Sequence, residues 1–447
     1  MSDARADQRK FGFWLATSLV VGNIIGSAIF MLPAGLAPFG WNAVSAWGLT
    51  FVGALSLAWV FAQLARHLPN AGGSYGFMRL GVGERAAFLG AWGYLVSVWA
   101  ADAGITIAGV SYLTRLVPQI DAIPGGSLIA AMAAIWMLTW VNTRGLQAAG
   151  SVQLVTSVIK LLPFVAVIGL AFWHLFATRG AVLPPVHADS FTIAGATGAV
   201  GLTLYAMLGL ESATVPADAV ENPARIVPLA TMVGTGLSAV VSIIATCAVV
   251  LMLPAASVAA SKAPISDFIA MSWGDVAGAL VAVCAVVSCF GCLNGFLFIS
   301  GELPVAMADA GTLPRWFAAR NTLGAPARSI IVGSIVTSLL TAMAYTRNGV
   351  AAYNFAILIS TATNLLIYVL CTFAALRFMR DGRVPRTVGL LVCAVIAVAF
   401  SAWAIVGTGR ESVLWGGALT LIGLPVYVLA RRAAVRDSSR AGVAVAR

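Results

Sequence analysis

Gly22-Asn23-Ile24-Ile25-Gly26-Ser27-Ala28 interrupts an otherwise apolar run, with residues 14–21 before it and 29–32 after it. A helix in lipid normally avoids two glycines and an amide at its midpoint, because freed backbone groups find no water there. Such a break is tolerated where the bare N–H and C=O groups line a cavity and hold something. Gly209-Leu210-Glu211-Ser212 makes a second interruption, in the sixth hydrophobic span. Paired broken helices in corresponding positions of two halves are the sequence mark of a solute-binding site in a secondary transporter.

Composition agrees with a membrane location. Of 447 residues, 60% are hydrophobic and only 9% charged, against about 25% charged in soluble proteins. Twelve stretches suit a bilayer crossing: about 13–37, 41–65, 86–114, 125–142, 151–175, 193–215, 226–253, 274–303, 329–345, 350–376, 387–407 and 412–430. The first is too long, and lacks the small-residue cleavage site, for a removable signal peptide. The reading is an all-α polytopic membrane protein with twelve transmembrane helices, helices 1 and 6 broken.

The net charge of +10 is explained by topology rather than by nucleic acid. With an internal N-terminus, twenty of the 26 lysines and arginines fall on the cytoplasmic side. Five (Arg115, Arg179, Lys262, Arg347, Arg410) fall outside, and Lys160 lies within a span. That asymmetry is the positive-inside pattern, with both termini cytoplasmic. The six cysteines all lie inside spans, and Cys289-Phe-Gly-Cys292 reads as small buried residues at a helix contact rather than as a redox motif. His67, His174 and His187 are scattered, so no metal site is expected and no cofactor is implied.

No soluble domain interrupts the spans; the longest pieces outside them are expected at about 177–192 and in the basic tail, 431–447. Dividing the first ten spans five plus five brings the two breaks into register. An odd number of spans per repeat turns the second copy upside down, giving an inverted repeat. One transporter domain therefore covers 1–430, with repeats at about 11–175 and 193–376 and two further helices at 387–430.

At these motifs the chain resembles the amino acid–polyamine–organocation transporters, above all their bacterial basic amino acid/polyamine antiporter branch. The likeness runs from about residue 11 to 430. It rests on Gly22-Asn-Ile-Ile-Gly-Ser27, Pro69-Asn-Ala-Gly-Gly-Ser-Tyr75, Leu208-Gly-Leu-Glu-Ser212, Glu221-Asn-Pro-Ala-Arg225 and Ala308-Asp-Ala-Gly-Thr-Leu-Pro314, in that order. The resemblance implies the five-plus-five fold of the leucine-transporter architecture and residence in a bacterial inner membrane. It also implies an amino acid or amine as substrate, and relatives in that branch form homodimers.

The half-helix that starts near Gly26, Ser27 and Ala28 directs free N–H groups and a positive dipole end at the cavity, which suits a carboxylate. Carbonyls of Asn23 and Ile24, with those near Tyr205 and Leu208, suit an ammonium. Glu211 is an intramembrane carboxylate, read either as a gating and pH-responsive group, as the resemblance implies, or as a cap on the broken helix. Asp102 stands mid-span where the arginine/agmatine antiporter has asparagine. It either faces the cationic end of a substrate or belongs to an internal salt bridge or helix–helix hydrogen bond.

Lys160, also mid-span, replaces a small apolar residue of that relative. Related exchangers place a lysine beside the first break, where sodium-driven members bind their cation, so Lys160 is expected to replace sodium or carry a coupling proton. The resemblance makes Tyr94, Tyr205 and Phe296 aromatic gates, Phe296 standing where the arginine carrier has tryptophan; the alternative for each is a packing residue of the helix bundle. Thr361 and Asn364 are candidates for contact with a substrate side chain.

The leading reading is exchange of cationic amino acids or polyamines. The alternative is a proton-coupled symporter or exchanger of neutral amino acids. A membrane enzyme would need a convergent nucleophile, base or metal cluster, and the spans contain no HExxH or GxSxG. A channel would need rings of charge or repeated filter segments.

Overall fold

The structure is a computed structural model that describes residues 12–71, 73–144, 160–187, 190–211, 220–347 and 349–431. The start of the fifth span, the end of the sixth, Ser212 and the tail beyond Arg431 lie outside these residues.

The first span is two helices. α1 (Phe13–Ile24) ends at Ile25, whose ψ of 80° leaves the helical region, and α2 (Ser27–Leu36) begins directly after Gly26. The last bond of α1 runs from Ile25 N–H to the Val21 carbonyl at 2.8 Å. α3 (Trp41–His67), α5 (Glu84–Leu116) and α7 (Gly126–Thr143) are the next three spans, with short α4 (Gly73–Val82) and α6 (Gln119–Ala122) between them. α8 (Leu162–Ala177) and α9 (Ile193–Tyr205) are the described parts of the fifth and sixth. α10 (Pro223–Met252) follows. Short α11 (Ala255–Ala260) and α12 (Pro264–Trp273) lead to α13 (Asp275–Asp309), α14 (Ala327–Ala344), α15 (Val350–Arg380), α16 (Val388–Gly407) and α17 (Gly409–Leu421).

Among the described residues the architecture is all-helical, and ten helical stretches are long and apolar enough to cross a bilayer. They coincide with ten of the spans read from the sequence. The fifth and sixth appear as apolar helices of 16 and 13 residues; the fifth begins after a turn at Lys160 and Leu161, and the sixth ends at Tyr205, where residues 206–211 form turns that make the second break.

Burial sorts the helices. The most apolar window of α5 is wholly buried, that of the broken first span 94% and that of α15 72%, whereas the window in Gly409–Arg431 is only 22% buried. In a lipid-facing bundle the outer helices keep apolar side chains such as Leu391, Val395 and Leu414 exposed, because acyl chains solvate them as well as protein does. The broken first span, α5 and α15 thus form the interior of the bundle. α13 and α15 both pack along α5, and α3 lies against α10. α1 packs on α10 and α9 packs on α3; α7 packs on both α13 and α14, and α14 packs on α5.

The expectation about long connections is corrected. Residues 253–274 form a longer piece than 177–192, and they are folded. Ile265, Phe268 and Ile269 of α12, spaced three and four residues apart, are buried against α13 and α2. An apolar face on ten residues is too short to cross a bilayer, so this segment read as a connection.

Candidate functional site

Both breaks open on one central cavity. The first contributes Asn23, Ile24, Gly26, Ser27 and Ala28; the sixth span contributes Tyr205, Leu208, Gly209 and Glu211. Tyr94 of α5 and Phe296 of α13 complete the expected wall, with Asn364 of α15. The cavity has a volume of about 30 Å³, room for one or two waters and not for an amino acid. As it stands the site is too narrow for a substrate.

The chemistry of the first break differs in detail from the expectation. Gly26 N–H donates to the Ile24 carbonyl at 2.9 Å, so that carbonyl is already partly used. Ser27 N–H is turned towards the Cys292 sulfur. The leading N–H groups of α2 have no intrahelical acceptor, and α2 therefore presents its positive end to the cavity. Gly26 has φ −116°, which any residue can adopt. What demands glycine is proximity, since a Cβ there would lie 2.7 Å from Cys292 Sγ. Cys289 likewise abuts Gly109 of α5, so the two cysteines are the packing residues their sequence context suggested.

At the second break Gly209 takes φ +100°, a left-handed conformation that glycine tolerates without strain. This turn brings buried Glu211 to the cavity wall. The Tyr368 hydroxyl donates to Glu211 Oε2 at 2.8 Å, and Tyr94 is a second hydroxyl partner. Backbone N–H groups of Gly209 and Glu211 also serve this carboxylate. The geometry is that of a cap on the break, and the two tyrosine bonds also tie α5 and α15 to the sixth span.

Lys160 is buried, with Nζ donating to the Gly22 carbonyl at 2.6 Å. It touches the first break from behind and is not part of the cavity wall. Asp102 is also buried and off the wall, one residue from Ala101, which lines it. Neither of its carboxylate oxygens has a hydrogen-bond partner among the described residues, and no described ion pair includes it. The internal salt bridge and the helix–helix hydrogen bond are therefore not found. Thr361 is off the cavity wall; its hydroxyl is shared between the Ile357 carbonyl of its own helix at 2.9 Å and the Gly201 carbonyl of α9 at 3.3 Å.

Sequence reasoning missed several groups. Ser97 and Ser360 join across the wall at 3.0 Å. Tyr353 reaches the Ala28 carbonyl at 3.4 Å, and its ring stands 6.3 Å from that of Tyr205, nearly perpendicular to it. Tyr368 lies one helical turn beyond Asn364, and that spacing is its one signal in the sequence.

Two broken segments closing on a shared cavity, with one carboxylate on its wall and another behind, describe a carrier site. A family model for amino acid permeases matches residues 11–415. The chain belongs to the amino acid permease family. This permease is 29% identical to the putrescine transporter PotE of Escherichia coli strain K12 over 433 residues, covering 95% of this chain and 97% of that protein. It is 31% identical to the cadaverine/lysine antiporter of the same strain over 433 residues, covering 94% of each. The putrescine transporter PotE of Haemophilus influenzae is 29% identical, over 94% of this permease and 97% of that protein. The multi-pass membrane character of the permease follows from both the family and the ten spanning helices.

Proposed function

We propose that this permease is a secondary antiporter exchanging cationic amino acids and polyamines across a bacterial inner membrane. The observation that carries the reading is Asp102. It is a buried carboxylate with no partner among the described residues, beside a cavity that already holds Glu211. Burying an unpaired carboxylate is costly unless a cation arrives to meet it. The functions that the relatives' names carry point the same way.

In this reading the N-terminus of α2 receives the carboxylate of an amino acid, and a diamine leaves that end to water. The cationic end lies towards Asp102. Tyr94, Tyr205 and Phe296 must swing aside to admit the substrate, because the cavity of about 30 Å³ cannot hold it. Lys160 supplies at the Gly22 carbonyl the positive charge that sodium supplies elsewhere, so transport needs no sodium. Twelve spans in a five-plus-five inverted repeat fit the packing. Exchanging spans one to five with six to ten maps the α1–α10 contact onto α9–α3, and α5–α14 onto α13–α7. Both termini are then cytoplasmic, and residues 431–447 form a basic tail. A homodimer is compatible with the exposed apolar outer helices, and no chemical transformation is assigned.

The test is counterflow in proteoliposomes. Vesicles loaded with unlabelled putrescine or lysine should take up the labelled compounds far faster than empty vesicles. Uptake indifferent to internal substrate, or confined to neutral amino acids, would overturn the proposal. A proton-coupled carrier of neutral amino acids is favoured by one observation, the buried ammonium of Lys160 on the broken helix. It would show net uptake into empty vesicles with an alkaline interior.

A further inference from the structure

A second cavity, of about 400 Å³, opens at the ends of the helices remote from the arginine-rich loops. Its volume is in the range of small-molecule sites. The C-terminal end of α5, α6, the segment joining α11 to α12 and the start of α15 surround it. Met31 on α2 forms part of its floor, three residues beyond Ala28, which lines the central cavity. Val350 and Ala351 of α15 line it, and Tyr353 of the same helix reaches the carbonyl of Ala28 at the central cavity. The outer cavity is thus a vestibule in line with the central site.

Among the described residues that line it, the only charged ones are Asp121 and Lys262. Lys262 Nζ meets Asp121 Oδ2 at 2.6 Å, and the Ser127 hydroxyl donates to Asp121 Oδ1 at 2.8 Å. One carboxylate oxygen therefore holds a primary ammonium on a four-carbon stem, and the other holds a hydroxyl. Both charged side chains are exposed, 36% for Asp121 and 55% for Lys262. An ion pair this open to water is weak and exchanges readily. Neighbouring Arg115 is engaged elsewhere, 3.4 Å from both Asp267 and Asp275, so it does not compete for Asp121.

We propose that the vestibule is an entry subsite for primary alkylammonium ions, in which the substrate's ammonium replaces that of Lys262 on Asp121. Lys262 already shows that the site accepts this ligand class, because its side chain is a tethered alkylamine. The inference rests on the reading of the permease as a carrier of cations, and it adds a second recognition point on the outer face alone. Displaced Lys262 swings out on its loop, and the amine stays in the cavity, which Tyr345 also lines, until the inner site opens.

The two partners of the pair should act in opposite directions. Asp121→Asn removes the acceptor and should raise the outer-face KM for putrescine and lysine about two- to fivefold. Lys262→Gln removes the competitor and should lower the same KM by a comparable factor. Neither should move the inner-face KM, measured in vesicles of opposite orientation, which also reports correct folding. A pair serving only to join two loops would shift both variants in one direction. That result, unmoved outer-face values, or equal shifts on both faces would overturn the proposal while leaving the carrier reading intact. A wild-type protein that exchanges neither putrescine nor lysine would instead remove the carrier reading and this subsite with it.

Discussion

Replacing Gly26 with alanine tests whether the glycine of the first break serves packing, substrate, or both. The new Cβ would stand 2.7 Å from Cys292 Sγ, about 1 Å inside ordinary contact. Either the Cys292 sulfur rotates about χ1 into its packed surroundings or α2 or α13 shifts. Overpacking of that kind costs about 1–3 kcal/mol. Cys292→Ala removes the sulfur and leaves its Cβ 3.7 Å from the new methyl group, which is ordinary contact. The single change Cys292→Ala should cost about 1 kcal/mol in lost burial. The pair should therefore be more stable than the sum of the singles by about 1–3 kcal/mol. Thermal unfolding of the detergent-solubilised protein measures this coupling, and putrescine counterflow is read on the same four proteins. Additive losses would refute the steric account of Gly26. Recovery of stability without recovery of counterflow would show that the open backbone itself meets the substrate. Recovery of both would make Gly26 a packing residue only and refute its place in the binding site.

Lys160→Met should destabilise the protein by about 1.5–3 kcal/mol, because the Gly22 carbonyl loses a charged donor; counterflow should fall, and sodium should not restore it. Unchanged exchange in a folded Lys160→Met protein would exclude the ammonium from the working site. Asp102→Asn should weaken binding of lysine and putrescine roughly tenfold or more while leaving the melting temperature unchanged or higher, since no described group depends on the carboxylate. An equal loss for neutral amino acids would make Asp102 structural. Asp121 is held below the usual carboxylate range, chiefly by the Lys262 ammonium. A carboxylate with a lowered pKa keeps its charge as pH falls and loses it only through that lower value, so the Asp121→Asn effect on outer-face KM should be as large at pH 5 as at pH 7. Disappearance of the difference by pH 5 would contradict that ion pair.

The spans and the first break were legible in the sequence for a physical reason. Lipid cannot solvate a bare backbone, so every crossing must be a run of apolar residues, and any lapse such as Gly22 to Ser27 is conspicuous. The same rule made Glu211 and Lys160 stand out, because a charge in a span is rare and needs a reason. α12 was not legible, since a three-and-four-residue apolar face on ten residues looks the same in a connection as in a buried helix. Nor were the partners of the site residues. That Thr361 bonds both its own helix and the Gly201 carbonyl of α9, that Tyr368 and Tyr94 share Glu211, and that Gly26 yields to a sulfur on α13 depend on helix rotation and approach. Periodicity specifies which face of a helix is apolar, but in a bundle apolar on most sides it does not specify which neighbour that face meets. Only tertiary packing decided that Asp102 stands without a described partner beside the central cavity and that Asp121 meets Lys262 in the vestibule.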